Sequence, residues 1–329
     1  YTGAYLLVGR SNDYRVIVES GDISISIFEL YLIRTYKSPF TICSGASVRL
    51  TVLGKNELQN TEEDDDTAGL NVPDGAELII TEQSTGSLYA YSDEDGAGIG
   101  GNRREKSGSI TINGGVITAV SGDDGAGIGG GYRGDSGPIT INGGVITAIS
   151  RDDGAGIGSG YNGTSGPITI NGGIVTAQSD EGKAFGAAPD LSGYAAYAWR
   201  LSETEPYRQD AFTWKDTDTY TALLPVYTVT FDTVGGSVVQ PQNVIYGKTV
   251  ATPTNPTKAG YIFDGWYNGD TAYNFDLPVT SHLTLTARWT RCDHSGSTAK
   301  PTCTDSAICT VCGSTIDALG HSLVWLSGN

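Results

Sequence analysis

A 29-residue repeat is the feature that most limits how this chain can fold. The three clearest copies begin at Ser92, Ser121 and Ser150, and each contains GAGIG followed by ITINGG and a short β-branched run. Looser copies extend the array to about 22–190, which gives roughly six units. Repeats of this length fold as arrays in which each unit stacks on its neighbours.

Each unit is predicted to form strand, bend and strand. Residues Ile110–Ile112 and Val116–Val120 alternate at period two around an Asn-Gly-Gly corner, and no stretch has helical periodicity. A unit this short cannot bury its own apolar face, so identical units must stack with parallel strands about 4.8 Å apart. We therefore predict a right-handed parallel β-helix over 1–190. The corner asparagines should form a ladder of side-chain hydrogen bonds, namely Asn113, Asn142 and Asn171.

Three further segments follow the array. Residues 191–226 are rich in aromatic side chains and should cap the last coil, because a solenoid has to cover its open end. Residues 227–290 contain alternating strand patterns, and 291–329 hold four of the five cysteines. The aromatic residues of the third segment are expected to form the core of a small β domain, namely Tyr261, Phe263, Trp266, Tyr267 and Trp289.

The motifs of these segments resemble known families. The GAGIGGG and ITINGGVITA units look like those of right-handed β-helix surface proteins exported by gut Firmicutes. GYIFDGWYNG and the closing LTLTARW resemble the Listeria-Bacteroides repeat, known from the internalin B-repeat with its β-grasp fold. The tail, CDH…PTC…CTVCG…LGHS, is similar to small Cys/His modules that accompany such domains. The resemblance implies an all-β, modular protein on the bacterial cell surface: a β-helix, a β-grasp-like domain and a short Cys-rich module.

The composition limits the kinds of partner that this chain is expected to bind. The net charge of −17 leaves no sequence-wide attraction for nucleic acid, and no apolar stretch is long enough for direct membrane insertion. The chain has no methionine and no signal peptide. We therefore expect an extracellular part of a longer protein, attached to the cell wall through regions outside this chain.

The segment Gly96–Gly101 satisfies the glycine pattern of dinucleotide-binding loops. Such a loop needs a helix behind it to hold the pyrophosphate, and here no helical pattern follows. The pattern also recurs in the next unit, so we interpret it as tight interior packing and expect no nucleotide cofactor.

Two acidic columns run along the predicted stack. Carboxylates stacked about 5 Å apart repel each other by about 1 kcal/mol in water and about 3 kcal/mol at an effective dielectric of 20. Bridging calcium would relieve this repulsion, and so would a solvated edge with arginines nearby, which is the simpler alternative. The first column comprises Glu94, Asp123, Asp152 and Glu181, and the second comprises Asp95, Asp124 and Asp153. The nearby arginines are Arg103, Arg104, Arg133 and Arg151. The acidic run 62–66 is expected to be a loop that bulges from a coil.

Tyrosines in the variable loops are candidate ligand contacts. Tyr132 and Tyr161 are one repeat apart and should stack on one side of the helix, with Arg103 in the same column and Asn162 beside it. Aromatic faces flanked by amides and carboxylates hold sugar rings in many proteins. The alternative, that these tyrosines cover the coil edge, stays open.

The tail offers six candidate metal ligands where tetrahedral zinc needs four. Cys309-x-x-Cys312 would supply one pair of ligands, and the choice among the others is open. Two disulfides are the alternative, because an exported protein meets oxidising conditions. Either would staple a module too small for its own core. The six are Cys292, His294, Cys303, Cys309, Cys312 and His321.

The function predicted from these features is that of a non-catalytic adhesin or spacer that presents a β-helix face to glycan or host protein. All three histidines lie beyond the array, which removes a common general base from the coils. Acids that recur in every coil resemble structural residues rather than one reaction centre. The alternative is a polysaccharide hydrolase or lyase whose acids lie within 102–106 or at Asp180 and Glu181.

Overall fold

The structure is a computed structural model that describes residues 3–34, 36–61, 66–194, 197–209 and 211–320. Within these ranges all regular secondary structure is β, so no helix is present that could cross a membrane. The chain divides into two compact units, 1–225 and 226–329. The all-β prediction is confirmed.

The first unit is a β-solenoid with three faces. Its strands are β1 (Ala4–Ser11), β2 (Val16–Val18), β3 (Gly21–Arg34), β4 (Phe40–Ile42), β5 (Ala46–Leu53), β6 (Lys55–Asn60), β7 (Leu70–Asn71), β8 (Glu77–Ile80), β9 (Ser87–Ser92), β10 (Ile99–Gly100), β11 (Ser109–Ile112), β12 (Val116–Ser121), β13 (Ile128–Gly129), β14 (Ile139–Ile141), β15 (Val145–Ser150), β16 (Ile157–Gly158), β17 (Ile168–Ile170), β18 (Ile174–Ser179) and β19 (Tyr197–Arg200). On the first face β3, β5, β8, β11, β14 and β17 stack in parallel. On the second face the end of β3 is followed by β6, β9, β12, β15 and β18.

The third face was not predicted as a strand. It is a six-stranded parallel sheet of β2, β4, β7, β10, β13 and β16, so about five turns separate its first and last strands. Its later strands are the two-residue Ile-Gly segments inside GAGIG, which are too short for a period-two pattern to reveal. Each unit is thus three strands, where the sequence indicated two.

Stacking of identical residues builds the core of the solenoid. Ile110 pairs with Ile139 and Ile139 with Ile168, so each inward side chain lies on its own copy one repeat away. All three are at most 2% exposed. The corner prediction is confirmed, because Asn142 Nδ2 donates to Asn113 Oδ1 and Asn171 Nδ2 to Asn142 Oδ1, each at 2.7 Å. The array is stable because each coil packs against the next one and forms hydrogen bonds with it.

The glycines of GAGIG allow coils to approach closely. A Cβ on Gly98 would lie 2.3 Å from the backbone nitrogen of Val120, and one on Gly127 would lie 2.4 Å from that of Ile149. No side chain fits at such distances. The glycine pattern therefore serves interior packing at these positions.

The described residues of 191–225 close the end of the solenoid. Within this segment β19 pairs with the start of β20 (Tyr220–Asp232), which also pairs antiparallel with β18. Tyr194 and Trp199 are buried in the solenoid core, and Phe212 and Trp214 pack against it. Aromatic side chains thus cover the last coil, as a cap must.

The second unit contains a mixed sheet and a tail hairpin. Its strands are the end of β20, β21 (Gln242–Ile245), β22 (Tyr261–Asn268), β23 (Thr271–Ala272), β24 (Leu283–Arg291), β25 (Ala307–Ile308) and β26 (Thr315–Ile316). The central strands β20 and β24 are parallel, while β21 and β22 flank them antiparallel.

The predicted aromatic core of this sheet is partly wrong. Trp266 is 4% exposed and contacts Phe263, with ring centroids 5.4 Å apart. Tyr261 is 37% exposed, and Tyr267 lies beneath Arg288 outside the core cluster. A bulge between Phe263 and Gly265 explains the position of Tyr267, because its extra residue places Trp266 instead of Tyr267 on the face of Phe263.

Candidate functional site

One turn recurs in each complete coil after the third face. Arg104, Arg133 and Asn162 occupy the same place in three successive turns, with φ of 59°, 56° and 60°. Asparagine tolerates this left-handed conformation, whereas for arginine it is uncommon and costs about 1 kcal/mol. The turns stack, since Arg104 N donates to Tyr132 O and Arg133 N to Tyr161 O.

The side chains before these residues form a stacked column. The ring centroids of Tyr132 and Tyr161 are 6.2 Å apart and the planes differ by 17°. Arg103 lies over the Tyr132 ring at 5.1 Å, and Arg133 approaches the same ring at 4.9 Å. The column ends at Tyr161, which is 40% exposed.

The column ends because the last coil is shorter than the others. Phe185 pairs with Ile157 and Asp190 with Thr169. Twelve positions separate Ile157 from Thr169, but five separate their partners. The last coil therefore lacks the turn that would cover Tyr161.

An open cleft of about 540 Å³ lies beside Tyr161. Its polar and aromatic lining includes Asp153, Tyr161, Asn162, Glu181, Lys183 and Asp216. Lys183 Nζ and Asp216 Oδ1 are 2.6 Å apart, so an ion pair crosses from the last coil to the cap loop. Of the predicted ligand contacts, Tyr161 and Asn162 line the cleft, while Arg103 and Tyr132 lie farther back in the column.

Lys183 and Asp216 were missed by the sequence analysis. Lys183 belongs to the decaying copy, where repeat alignment loses its guidance, and Asp216 lies 33 positions later in the cap. The signal that could have indicated a site is the absence of a GYRGDSG-type turn from the fourth copy. A missing turn exposes whatever the preceding turn carries.

The acidic columns converge on Asp124. Carboxylate oxygens of Asp95, Asp123 and Asp124 lie within 4.8 Å of one another, and so do those of Asp124, Asp152 and Asp153. Burial, followed by the charges of Asp123, Asp152 and Asp95, raises the pKa of Asp124 to about 6. Asp124 Oδ1 is buried without a hydrogen-bond partner. The surroundings of Asp124 therefore disfavour its ionised form.

The remaining column residues lie outside these two groups. Burial and the charge of Asp123 raise the pKa of Glu94, and Glu181 lines the cleft. Arg103 Nε lies 3.0 Å from Asp95 Oδ2, and Arg103 Nη1 lies 2.9 Å from Asp66 Oδ2. These ion pairs reduce the repulsion between carboxylates in the first coil of the second column, at Asp95. Arg133 instead lies over Tyr132. Of the acidic run 62–66, residues 62–65 lie outside the described residues.

In the tail, four of the six candidate ligands come together. The donor atoms of Cys292, His294, Cys309 and Cys312 lie within 4.8 Å of one another. Cys303 is exposed and lies outside this group. His321 is not among the described residues.

Comparisons with known proteins agree with this architecture. Residues 110–132, 139–161 and 168–188 match the beta helix repeat. Residues 227–288 match the Listeria-Bacteroides repeat domain. The cleft residues Asp153 and Tyr161 thus lie within a matched repeat.

Relatives resemble parts of the chain. Internalin H of Listeria monocytogenes is 33% identical over 118 residues, covering 32% of this chain and 21% of internalin H. A protein of Evansella cellulosilytica named as a membrane protein is 38% identical over 68 residues, covering 20% of this chain and 10% of that protein. The chain therefore spans at most about a fifth of the length of these curated relatives. Their names and the repeat types fit a surface or membrane-associated protein. The chain is a β-helix repeat protein that also carries a Listeria-Bacteroides repeat domain.

Proposed function

We propose that this chain is the non-catalytic, glycan-binding part of an extracellular bacterial surface protein, and that the sugar binds in the cleft beside Tyr161. The observation that carries the proposal is the exposed Tyr161 ring at the end of a stacked column, in a polar cleft left by a missing turn. The modular repeat architecture and the likeness to internalin H support the surface setting.

The Tyr161 ring suits the apolar face of a sugar. Its inner face is held by Tyr132, so the ring is already oriented before a ligand arrives. A pre-oriented aromatic side chain loses little conformational entropy on binding. The C–H face of a pyranose would pack on the negative face of the ring.

The polar lining suits sugar hydroxyl groups. Asp153 and Glu181 offer carboxylate acceptors, Asn162 offers an amide, and Lys183 offers a donor beside its ion pair with Asp216. A volume of about 540 Å³ falls within the range of about 300–1,000 Å³ typical of small-ligand sites. The cleft would accept one or two sugar units of a longer glycan.

The cleft acids argue for binding without turnover. Asp153 occupies the same repeat position as Asp95 and Asp124. Glu181 belongs to the other acidic column, in which Asp123 and Asp152 occupy the same repeat position. Both are copies of column residues, and the third acid of the cleft, Asp216, is ion-paired with Lys183. Of the described histidines, His282 and His294 both belong to the second unit.

A glycan array followed by calorimetry tests the proposal. We expect the chain to retain a defined set of glycans, and Tyr161→Ala to weaken the best of them about tenfold, equivalent to about 1.4 kcal/mol. Tyr14→Ala is the matched control, because Tyr14 is 77% exposed in the first coil, away from the cleft. Thermal melts should show that both variants remain folded.

Three results would contradict the proposal. Equal binding by the parent chain and Tyr161→Ala would remove the cleft as the site. Release of reducing ends or unsaturated uronides from polysaccharide, abolished by Glu181→Gln, would favour the hydrolase or lyase alternative. Retention of a host protein with no retained glycan would also overturn the glycan assignment.

A further inference from the structure

We propose that Cys292, His294, Cys309 and Cys312 bind one zinc ion as a closed tetrahedral site. The site belongs to the tail of the second unit and is independent of the cleft beside Tyr161. It selects four ligands from the six that the sequence offers, and it excludes Cys303 and His321.

The donor atoms have the spacing of a tetrahedron around one ion. Zinc–sulfur bonds of about 2.3 Å place two ligands of a tetrahedron about 3.8 Å apart. Cys292 Sγ and Cys309 Sγ are 3.9 Å apart, and Cys312 Sγ lies 3.6 Å from His294 Nδ1. A disulfide would need about 2.05 Å between sulfurs. The four atoms thus surround a common point instead of pairing.

The local backbone is built to present these donors. Cys309 and Cys312 lie in the turn between β25 and β26, closed by bonds from Gly313 N to Cys309 O and from Cys309 N to Ser314 O. Gly313 has a φ of 69°, which favours glycine at this corner. The turn therefore points both sulfurs to one side.

Neighbouring donors support the sulfurs. His294 N lies 3.4 Å from Cys292 Sγ, and Ser314 Oγ lies 3.1 Å from Cys312 Sγ. N–H and O–H groups around thiolate ligands fix their orientation and stabilise their charge. Such contacts are more useful to a metal-bound thiolate than to a buried neutral thiol.

The cluster would also hold the tail together in place of an apolar core. Among described residues 292–320, the buried ones are Cys292, Ser297 and Cys309, so no apolar core holds this segment together. Small modules without a core depend on a metal or on disulfides. Metal binding to this set would therefore be coupled to folding of the tail.

The donor set selects the metal class. Three thiolates and one imidazole in a tetrahedron favour zinc over calcium or magnesium, which prefer oxygen ligands. All four positions are filled by protein, as in structural zinc sites, so no open position remains for catalysis. The site is a staple.

Metal analysis of the full chain purified with zinc is the first test. We expect about one zinc per chain for the parent, for Cys303→Ser and for His321→Ala. Cys309→Ser and His294→Ala should lose the metal. Because loss of zinc would also unfold the tail of these two variants, cobalt titration of the parent gives a second readout. It should show thiolate charge-transfer bands and tetrahedral d–d bands, which survive in Cys303→Ser.

Three outcomes would overturn the proposal. A folded parent with all thiols free and no bound zinc would show that the cluster is not a metal site. An intact mass lower by the hydrogens of one or more disulfides among these cysteines would assign the staple to oxidation. Loss of zinc from Cys303→Ser or His321→Ala would show that the ligand set is wrong.

Discussion

The complete coils of the solenoid and its last coil differ in one respect that decides where a site can form. In the complete coils Ile110, Asn113 and Tyr132 each contact the same residue type one repeat away. In the last coil the turn is shorter, and Tyr161 has no successor. Repetition builds a stable scaffold that leaves few side chains free to contact a ligand. Where the repeat is interrupted, one such side chain is exposed.

The two ends of the chain differ in how they are held together. The solenoid is stabilised by a continuous apolar core that extends from Val18 to Leu223. The described residues of the tail have no such core, and the donor atoms of four candidate ligands cluster there instead. Loss of one side chain should therefore weaken the solenoid gradually, while on the zinc proposal the loss of one ligand should release the whole tail.

The largest expected effect concerns the apolar columns. Ile141 is fully buried between the strands of two neighbouring coils, so Ile141→Ala should lower the free energy of unfolding by about 2–5 kcal/mol. Val145 lies in the same coil and is 36% exposed, so Val145→Ala should cost less than about 1 kcal/mol. Urea unfolding of both variants measures the contrast. Equal losses would mean that the columns are not the core of the array.

A smaller effect concerns pH. The pKa of Asp124 is about 6 in the folded state, above its ordinary value of 3.8, because of burial and neighbouring carboxylates. The folded state then binds the proton more tightly, so this contribution to stability is complete below about pH 4 and is lost as the pH rises through 6. We expect Asp124→Asn to raise the melting temperature at pH 8 and to flatten its pH dependence.

The control for this prediction is Asp13→Asn, which changes an exposed aspartate in the first coil and should leave the pH dependence unchanged.

Calcium separates the two explanations of the acidic columns. If calcium raises the melting temperature of the parent at pH 8 but not that of Asp124→Asn, a bridging ion is indicated. If it affects neither, the columns are a solvated edge, and a parent with no pH dependence would contradict the proposed repulsion.

The smallest effect concerns the recurring turn. Arg104 has a φ of 59°, whereas Asn162 holds the same turn position with a residue that tolerates it. Arg104→Asn should therefore stabilise the unit by up to about 1 kcal/mol. The matched change Asn162→Arg should destabilise it by a similar amount, measured by urea unfolding. The same sign for both changes would contradict the argument from backbone strain.

Much of the fold could be predicted from the sequence, because stacking converts a repeat directly into geometry. The 29-residue register and the asparagine ladder follow from this rule. The third face did not, since its strands are two residues long. Tyr267 was misplaced because a bulge shifts the alternation of β22, and a period-two pattern does not show where a bulge will lie.

The candidate sites could be predicted less well, for a related reason. Tyr161 was identified because it repeats Tyr132, but the cleft depends on a turn that is absent. Lys183 and Asp216 meet through tertiary structure, with no spacing rule to connect them. In the tail, the sequence supplied six candidate donors; the structure brings four of them together, and His321 lies outside the described residues.

Calorimetric titration of a turn-insertion variant tests the central claim most directly. A seven-residue copy of 159–165 inserted after Gly186 would restore the length of the complete coils and place a turn over Tyr161. With the glycan identified on the array, we predict that this variant stays folded and loses binding as Tyr161→Ala does. Undiminished binding by a folded insertion variant would contradict the claim that the interrupted repeat creates the site.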